Sequence, residues 1–248
     1  MLVSARSFAE YRAMFALTEH DLEQRILDCP AGAASFVAEA GRRGIDAVAV
    51  DRQYAEHRAE LGLLVERETA FKRELLAKET AGYVWSWYAD ADDMIRQWTA
   101  NARAFGADIV ARPERYVAGS LPALPFADDS FDLALCSHLL FSYGNRLGGE
   151  FQREGLLELA RVARREVRVF PLVVYDTGAR YEGLGALREE LAELGVPSRV
   201  ERVAYEFQPG ADEMLVLSTA GHRAPARTAP GAAQAPDPVR WRHREAGA

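Results

Sequence analysis

Two acidic residues in this sequence, Asp28 and Asp51, each follow a short apolar stretch, and acids in this position often bind a ligand. Asp28 is followed by the small-residue turn Cys29-Pro30-Ala31-Gly32. Such a turn lets a ligand approach the backbone closely, and free amides at a helix start attract a carboxylate or phosphate. Asp51 ends the next apolar run, roughly twenty residues after the turn, where an acid accepts hydrogen bonds from ribose hydroxyls. Together they predict a site for an adenosine-containing ligand.

These residues meet only if the surrounding elements form a parallel sheet. Apolar runs predict strands over residues 25–29, 47–51, 116–119, 131–137 and 166–175, and a closing hairpin over 198–208 and 213–218. Apolar residues at helical spacing predict helices over 35–43, 150–165 and 180–194. This alternation predicts an α/β fold, a doubly wound, mostly parallel seven-stranded sheet. Ligands bind such sheets beyond the carboxyl ends of the strands, where the strand order reverses.

The segment at residues 52–112 interrupts this alternation. It is rich in Glu, Arg, Ala and Leu, which favour helix, so we expect a helical insertion after the second strand. Its aromatic residues either form a lid over an apolar or planar substrate or pack in the core. They are Tyr83, Trp85, Trp87, Tyr88 and Trp98.

The two ends of the chain differ in composition. Residues 7–17 have the spacing of a helix, whose Tyr11 and Phe15 either close the ligand pocket or pack the helix. Residues 221–248 are rich in Ala, Pro, Gly and Arg, which predicts a disordered tail. We therefore expect one domain over residues 1–220.

Composition limits the function further. The 248 residues carry a net charge of −7, which disfavours binding to bare nucleic acid. The cysteines, Cys29 and Cys136, make no disulfide framework, and no Cys/His spacing indicates zinc. No apolar run reaches membrane-spanning length and the start lacks a signal-peptide centre, so we expect a cytoplasmic protein without a metal site.

Beyond these patterns, the sequence resembles the class I S-adenosylmethionine (SAM)-dependent methyltransferases over about residues 26–218. The stretch ILDCPAG at 26–32 stands where the family's glycine-rich first motif stands, and GSLPALPFADDSFD at 119–132 is similar to its third-strand segment. Pro30 and Ala34 replace usual glycines of the family. The resemblance implies the Rossmann-like methyltransferase fold.

The resemblance also implies SAM as cofactor and a role for each matched residue. Asp28 and the turn that ends at Gly32 would line the methionine part of SAM, and Asp51 would hold its ribose. Ser120 and Leu121 would flank the adenine. The end of the fourth strand would lie beside the sulfonium and the substrate. The implied cofactor-binding residues are Asp28, Cys29, Pro30, Ala31, Gly32, Asp51, Ser120, Leu121 and Ser137.

His138 follows the fourth strand and is the candidate catalytic residue. It either accepts the proton of the attacking group as a general base or packs as part of the pocket wall. Methyl transfer does not require a strong base, since the alignment of the reacting groups itself lowers the barrier.

Three functions follow from these observations. The first is a SAM-dependent methyltransferase acting on a small molecule, aromatic or apolar in character. The second is a SAM-fold binding or regulatory protein without methyl transfer, which the altered first motif favours. The third is an NAD-dependent oxidoreductase, against which the missing Gly-x-Gly-x-x-Gly spacing argues.

Overall fold

Seven strands form a single sheet in the computed structural model, which describes residues 5–56, 58–76 and 82–221. The strands are β1 (Ile26–Asp28), β2 (Ala47–Asp51), β3 (Tyr116–Ala118), β4 (Phe131–Ser137), β5 (Ala163–Phe170), β6 (Ser198–Arg202) and β7 (Glu213–Ser218). Their order is β3-β2-β1-β4-β5-β7-β6, and only β7 runs against the others. The predicted fold class, a mostly parallel seven-stranded α/β sheet, is confirmed.

Helices cover both faces of this sheet, as a doubly wound fold requires. They are α1 (Phe8–Met14), α2 (Glu19–Leu22), α3 (Phe36–Arg42), α4 (Arg58–Leu76), α5 (Ala91–Ala111), α6 (Gly144–Val162) and α7 (Leu184–Glu193). One buried cluster joins the sheet to α1, α3, α4 and α5, and a second joins it to α6 and α7. The sheet is therefore buried on both sides, which explains its near-continuous apolar strands.

The reversal of strand order lies between β1 and β4. From β1 the chain proceeds outward through β2 to β3 and then returns to β4 on the other side of β1. Asp28 pairs with Ala49 of β2 and with Leu135 of β4, so the carboxyl ends of these three strands share one edge. This edge is the place where ligands bind in such sheets.

Several predicted boundaries of the second half were wrong. The helix predicted to reach residue 165 ends at Val162, because residues from Ala163 onward pair with β4 as part of β5. β5 ends at Phe170 rather than at residue 175, since Pro171 has no amide hydrogen to continue the ladder. Residues 203–212, partly predicted as strand, form a loop between β6 and β7.

Some predictions concern segments that are only partly described. Helices α4 and α5 lie between β2 and β3, within the segment predicted to be helical. The tail predicted from residue 221 lies, after Gly221, outside the described residues. Among the described residues, no helix is long and apolar enough to cross a membrane.

Helices α4 and α5 approach closely where Gly62 faces Gly106. A Cβ atom added to Gly106 would lie 3.1 Å from the Cα atom of Gly62. We expect Gly106→Ala to lower the free energy of unfolding by about 1–3 kcal/mol, because two backbones would have to separate. Gly185→Ala in α7 meets no atom within 4 Å and is the matched control. In urea denaturation, Gly185→Ala should raise the free energy of unfolding by up to about 1 kcal/mol. Equal effects of Gly106→Ala and Gly185→Ala would contradict the close approach of α4 and α5.

Candidate functional site

Asp28 lies at the carboxyl end of β1 with its carboxyl group in the protein interior. Its side chain is 1% exposed. The Tyr11 hydroxyl donates a hydrogen bond to Asp28 Oδ1 at 3.1 Å. Oδ2 has no hydrogen-bond partner among the described residues. Burial, and then the nearby Asp51 carboxylate, raise the pKa of Asp28 well above its ordinary value. A buried carboxyl oxygen without a donor is costly and marks this strand end as a binding position.

Asp51 closes the turn that follows β1 instead of facing free solvent. Its Oδ2 accepts a hydrogen bond from the Gly32 amide at 3.0 Å, and its Oδ1 accepts one from the Gln53 amide at 2.9 Å. The second bond caps the short 3-10 helix that follows β2, so Asp51 also has a structural role. Burial raises the pKa of Asp51 above its ordinary value.

Two backbone amides of the turn after β1 are already bonded in the conformation described. The Ala31 amide donates to the Val50 carbonyl at 3.0 Å, and the Gly32 amide is taken by Asp51. The Tyr54 hydroxyl donates to the Gly32 carbonyl oxygen at 2.7 Å. Gly32 has φ +55°, a left-handed conformation that glycine adopts without strain. The turn is therefore closed by the protein's own groups, and a ligand must replace some of these bonds.

The carboxyl end of β4 brings two predicted residues to the same edge. Ser137 Oγ lies 2.8 Å from His138 Nδ1, and His138 Nε2 lies 3.5 Å from Arg6 Nη2. His138 has φ +52°, a left-handed conformation that is unusual for a residue other than glycine. Burial, and then the charge of Arg6, lower the pKa of His138 well below its ordinary value. The ring is therefore neutral at physiological pH.

Arg6 and Glu10 form a buried ion pair beside His138. Arg6 Nη1 donates to Glu10 Oε1 at 2.9 Å and also contacts the Tyr205 hydroxyl. The hydroxyls of Tyr88 and Tyr205 both donate to Glu10 Oε1, the latter at 3.1 Å. Glu10 is 0% exposed and Arg6 is 6% exposed. Removal of either partner would leave an uncompensated charge in the interior.

Aromatic rings enclose this ion pair. The guanidinium carbon of Arg6 lies 5.1 Å from the ring centre of Trp98, 5.6 Å from that of Tyr205 and 5.7 Å from that of Phe207. Tyr83 stacks on Phe207 with ring centres 4.6 Å apart, so the aromatic residues before α5 pack against the loop between β6 and β7. In this conformation they form core contacts, and they also cover the site.

Among the residues that the structure describes, the remaining predicted cofactor-binding residues do not contact the Arg6–Glu10 ion pair in any hydrogen bond. Ser120 follows β3 and is exposed, whereas Leu121 is buried in the core on the α6 side of the sheet. Cys29 is a buried free cysteine in the turn after β1. Pro30 follows it and is partly buried. Whether any of these residues touches a ligand stays a prediction.

Several site residues were missed in the sequence analysis: Arg6, Glu10, Tyr54 and Tyr205. One sequence signal could have identified Glu10. Ser7 and Glu10 form a capping box at the start of α1, which fixes where Glu10 lies. No local pattern indicates that distant aromatic residues bury Arg6 and Glu10. Among the described residues, no group of His, Cys, Asp and Glu is placed to hold a metal ion.

The buried carboxyl group of Asp28 predicts a pH-dependent stability. Below the ordinary aspartate pKa, Asp28 is protonated in the folded and the unfolded chain. As the pH rises, the unfolded chain loses this proton first, so stability falls until the pH passes the raised pKa of the folded state. Asp28→Asn removes this titration and can still accept the Tyr11 hydrogen bond.

We therefore expect Asp28→Asn to gain stability relative to the wild type as the pH rises from acid to neutral. Urea unfolding at several pH values measures the difference. Asp51, which titrates in the same direction, is present in both proteins and cancels. Asp46→Asn, at a side chain that is 67% exposed, is the control. A difference that does not change with pH would contradict the raised pKa of Asp28.

No family model matches the sequence. An uncharacterized protein of Methanocaldococcus jannaschii is 29% identical over 213 residues, which cover 86% of this chain and 93% of the relative.

The solved structures to which the chain is similar include two methyltransferases with a bound ligand. Magnesium protoporphyrin IX methyltransferase from Synechocystis PCC 6803, with bound SAM, is 14% identical with a TM-score of 0.42, over 79% of this chain and 69% of that one. The 1,6-didemethyltoxoflavin-N1-methyltransferase of Burkholderia thailandensis, with its substrate and S-adenosylhomocysteine bound, is 16% identical with a TM-score of 0.43, over 85% and 76%. At these values the likeness assigns no role to any residue of this chain.

Proposed function

We propose that this chain is a SAM-dependent methyltransferase of the class I type and that it methylates a small molecule. The observation that carries the proposal is the Oδ2 atom of Asp28, a buried carboxyl oxygen without a partner among the described residues. It lies where the strand order reverses, beside the turn that Asp51 closes. The sequence resemblance puts the methionine and ribose parts of SAM at these two acids.

The donor groups of SAM suit the acceptors present at this edge. The ammonium group of its methionine part can donate to Asp28 Oδ2, which would remove the cost of the unpaired oxygen. Each oxygen of Asp51 accepts one hydrogen bond from the protein, and a carboxylate oxygen has room for a second. Two ribose hydroxyls can therefore be held without loss of the capping bond. Cys29, Pro30 and Ala31 would line the same turn, and Ser137 would lie at its far side.

The closed turn limits how SAM can bind. The Gly32 amide must exchange its bond to Asp51 for a bond to the ligand, or the turn must shift as a unit. When bound, SAM supplies a methyl group on a positively charged sulfur, which is already activated for transfer. The chain's own residues then have to orient the acceptor and exclude water, and these effects can lower the barrier by several kcal/mol. His138 stands at the strand end where the acceptor would approach.

A small-molecule acceptor agrees with the character of the site walls. Arg6, which lies beside His138, is enclosed by Trp98, Tyr205 and Phe207, and these rings suit a planar or apolar group rather than a flexible polymer. The net charge of −7 opposes the approach of a nucleic acid. The toxoflavin enzyme, to which the chain is similar, was solved with a small heterocycle bound.

Isothermal titration calorimetry with S-adenosylhomocysteine tests the proposal. We expect saturable binding with one ligand per chain, and no comparable heat with NADH, the control for an oxidoreductase. Absence of binding at millimolar ligand would refute the proposal.

The closed turn also favours a second candidate, a SAM-fold binding protein without methyl transfer. It predicts that no methylated product forms from any member of a panel of phenols, amines and carboxylates. Mass spectrometry of such reactions separates the two functions, since one methylated product excludes the second.

A further inference from the structure

Arg6 has one edge of its guanidinium group that meets no oxygen acceptor among the described residues. Nη1 is used by Glu10 and Tyr205. Nη2 reaches only His138 Nε2, at 3.5 Å, and Nε has no partner among the described residues. The Nε–Nη2 edge is one that binds oxyanions side-on. Because buried donors without an acceptor are costly, this edge is suited to a ligand oxygen.

The two contacts of the His138 ring determine which of its nitrogens carries the proton. Arg6 Nη2 lies 3.5 Å from Nε2, and a guanidinium group can only donate, so Nε2 of the neutral ring is the acceptor in this contact. The proton therefore lies on Nδ1, which donates to Ser137 Oγ at 2.8 Å, and Nε2 presents a lone pair.

Arg6 and His138 thus present a donor edge and an acceptor atom side by side. An acceptor substrate that satisfies both must donate a proton to Nε2 and offer an oxygen to Arg6. A carboxylate would turn its own lone pairs toward Nε2, and an amine does not become an anion that Arg6 could hold. A hydroxyl group with an acidic proton meets both requirements.

We infer that the methyl acceptor is an acidic hydroxyl, phenolic or enolic, which binds between His138 Nε2 and the Nε–Nη2 edge of Arg6. The inference rests on the proposed function and names its substrate class. The O–H bond breaks, the proton joins Nε2, and the electron pair stays on oxygen as an anion held by Arg6. With SAM bound, this pair would form the bond to the methyl carbon, and the electrons of the broken C–S bond would stay on the sulfur of the cofactor. Ser137 is a positioning residue, since it acts through His138.

The surroundings of the pair determine how the acceptor enters and which charges it meets. Trp98, Tyr205 and Phe207 enclose Arg6 in this conformation, so one of these rings must move before a ligand binds. Flat faces of this kind suit an aromatic acceptor. The ionisable groups on the elements packed around His138 are Arg6, Glu10, Tyr11, Asp28, Tyr88 and Tyr205.

The binding of 4-nitrophenol tests the inference without any cofactor, because its anion absorbs visible light and its neutral form does not. At a pH where the free probe is mostly protonated, we expect wild-type protein to produce saturable nitrophenolate absorbance. Arg6→Gln should reduce the affinity for the anion by at least about tenfold, the effect of losing a hydrogen bond to a charged group. Arg12→Gln, on the exposed side of α1, is the matched control and should bind as the wild type does.

A second measurement covers the case in which Arg6→Gln does not fold. Nitrogen NMR of the wild-type His138 ring should show the proton on Nδ1, and Ser137→Ala should abolish this preference. A proton on Nε2 in the wild type would overturn the inference. So would binding of the probe only as neutral phenol, or equally tight binding of benzoate. If the protein binds S-adenosylhomocysteine but not nitrophenolate, this inference alone is overturned. If it binds nitrophenolate but not S-adenosylhomocysteine, the proposed cofactor is refuted.

Discussion

Replacing Glu10 with alanine is expected to lower the free energy of unfolding by about 3–5 kcal/mol. Glu10 is fully buried and balances the charge of Arg6, which is itself enclosed by aromatic rings. Without the carboxylate, the guanidinium stays in the interior uncompensated, and the hydroxyls of Tyr88 and Tyr205 lose their acceptor. The capping bond to the Ser7 amide is also lost.

Glu19→Ala is the matched control for this change. Glu19 also pairs with an arginine, Arg12 at 2.7 Å, but its side chain is 79% exposed. Exposed ion pairs contribute roughly 0–1 kcal/mol, so urea unfolding should show little change. Similar losses for Glu10→Ala and Glu19→Ala would mean that the ion pair of Arg6 is accessible to water, contrary to the burial described above.

Asp51→Asn is expected to weaken the binding of S-adenosylhomocysteine by about tenfold to a hundredfold, the effect of losing a hydrogen bond to a charged group. Both oxygens of Asp51 accept backbone amides, from Gly32 and Gln53. An asparagine amide nitrogen would have to face one of these donors, so the turn would also lose its present closure. Ribose hydroxyls would lose a charged acceptor at the same time.

Calorimetry measures this affinity, and circular dichroism checks that the variant is folded. Asp46 directly precedes β2 and its side chain is exposed, so Asp46→Asn changes the net charge equally and should leave the affinity unchanged. Unchanged binding by Asp51→Asn would show that this acid only caps the following 3-10 helix. The ribose would then be held by other residues, whether or not Asp28 binds the rest of the ligand.

Much of the fold could be predicted because its information is local. Apolar runs that end in Asp28 and Asp51 identify strands buried on both faces, and their alternation with helices limits the sheet to a parallel, doubly wound arrangement. The same logic brought Asp28, Asp51, Ser137 and His138 to one edge, since the carboxyl ends of parallel strands coincide. The boundary between α6 and β5 was predicted wrongly, because the pairing of Ala163 with β4 outweighs the local preference for helix.

The chemical state of the site was decided by tertiary structure. From the sequence alone, Arg6 and Glu10 are an ordinary pair four residues apart at the start of the first helix. They are buried because Tyr205, 199 residues after Arg6, and the aromatic residues before α5 pack over them. The closed turn at Gly32 depends on Asp51, 19 residues later, and the proton position on His138 depends on Arg6, 132 residues earlier.

The sequence by itself therefore determined which strands form and where their acidic ends lie, because side-chain periodicity and strand termination are properties of neighbouring residues. Only the tertiary structure decided which of those groups lose water, which hydrogen bonds they exchange and which charges face them. Desolvation and hydrogen bonding act between atoms brought together in space, and that proximity has no trace in local spacing.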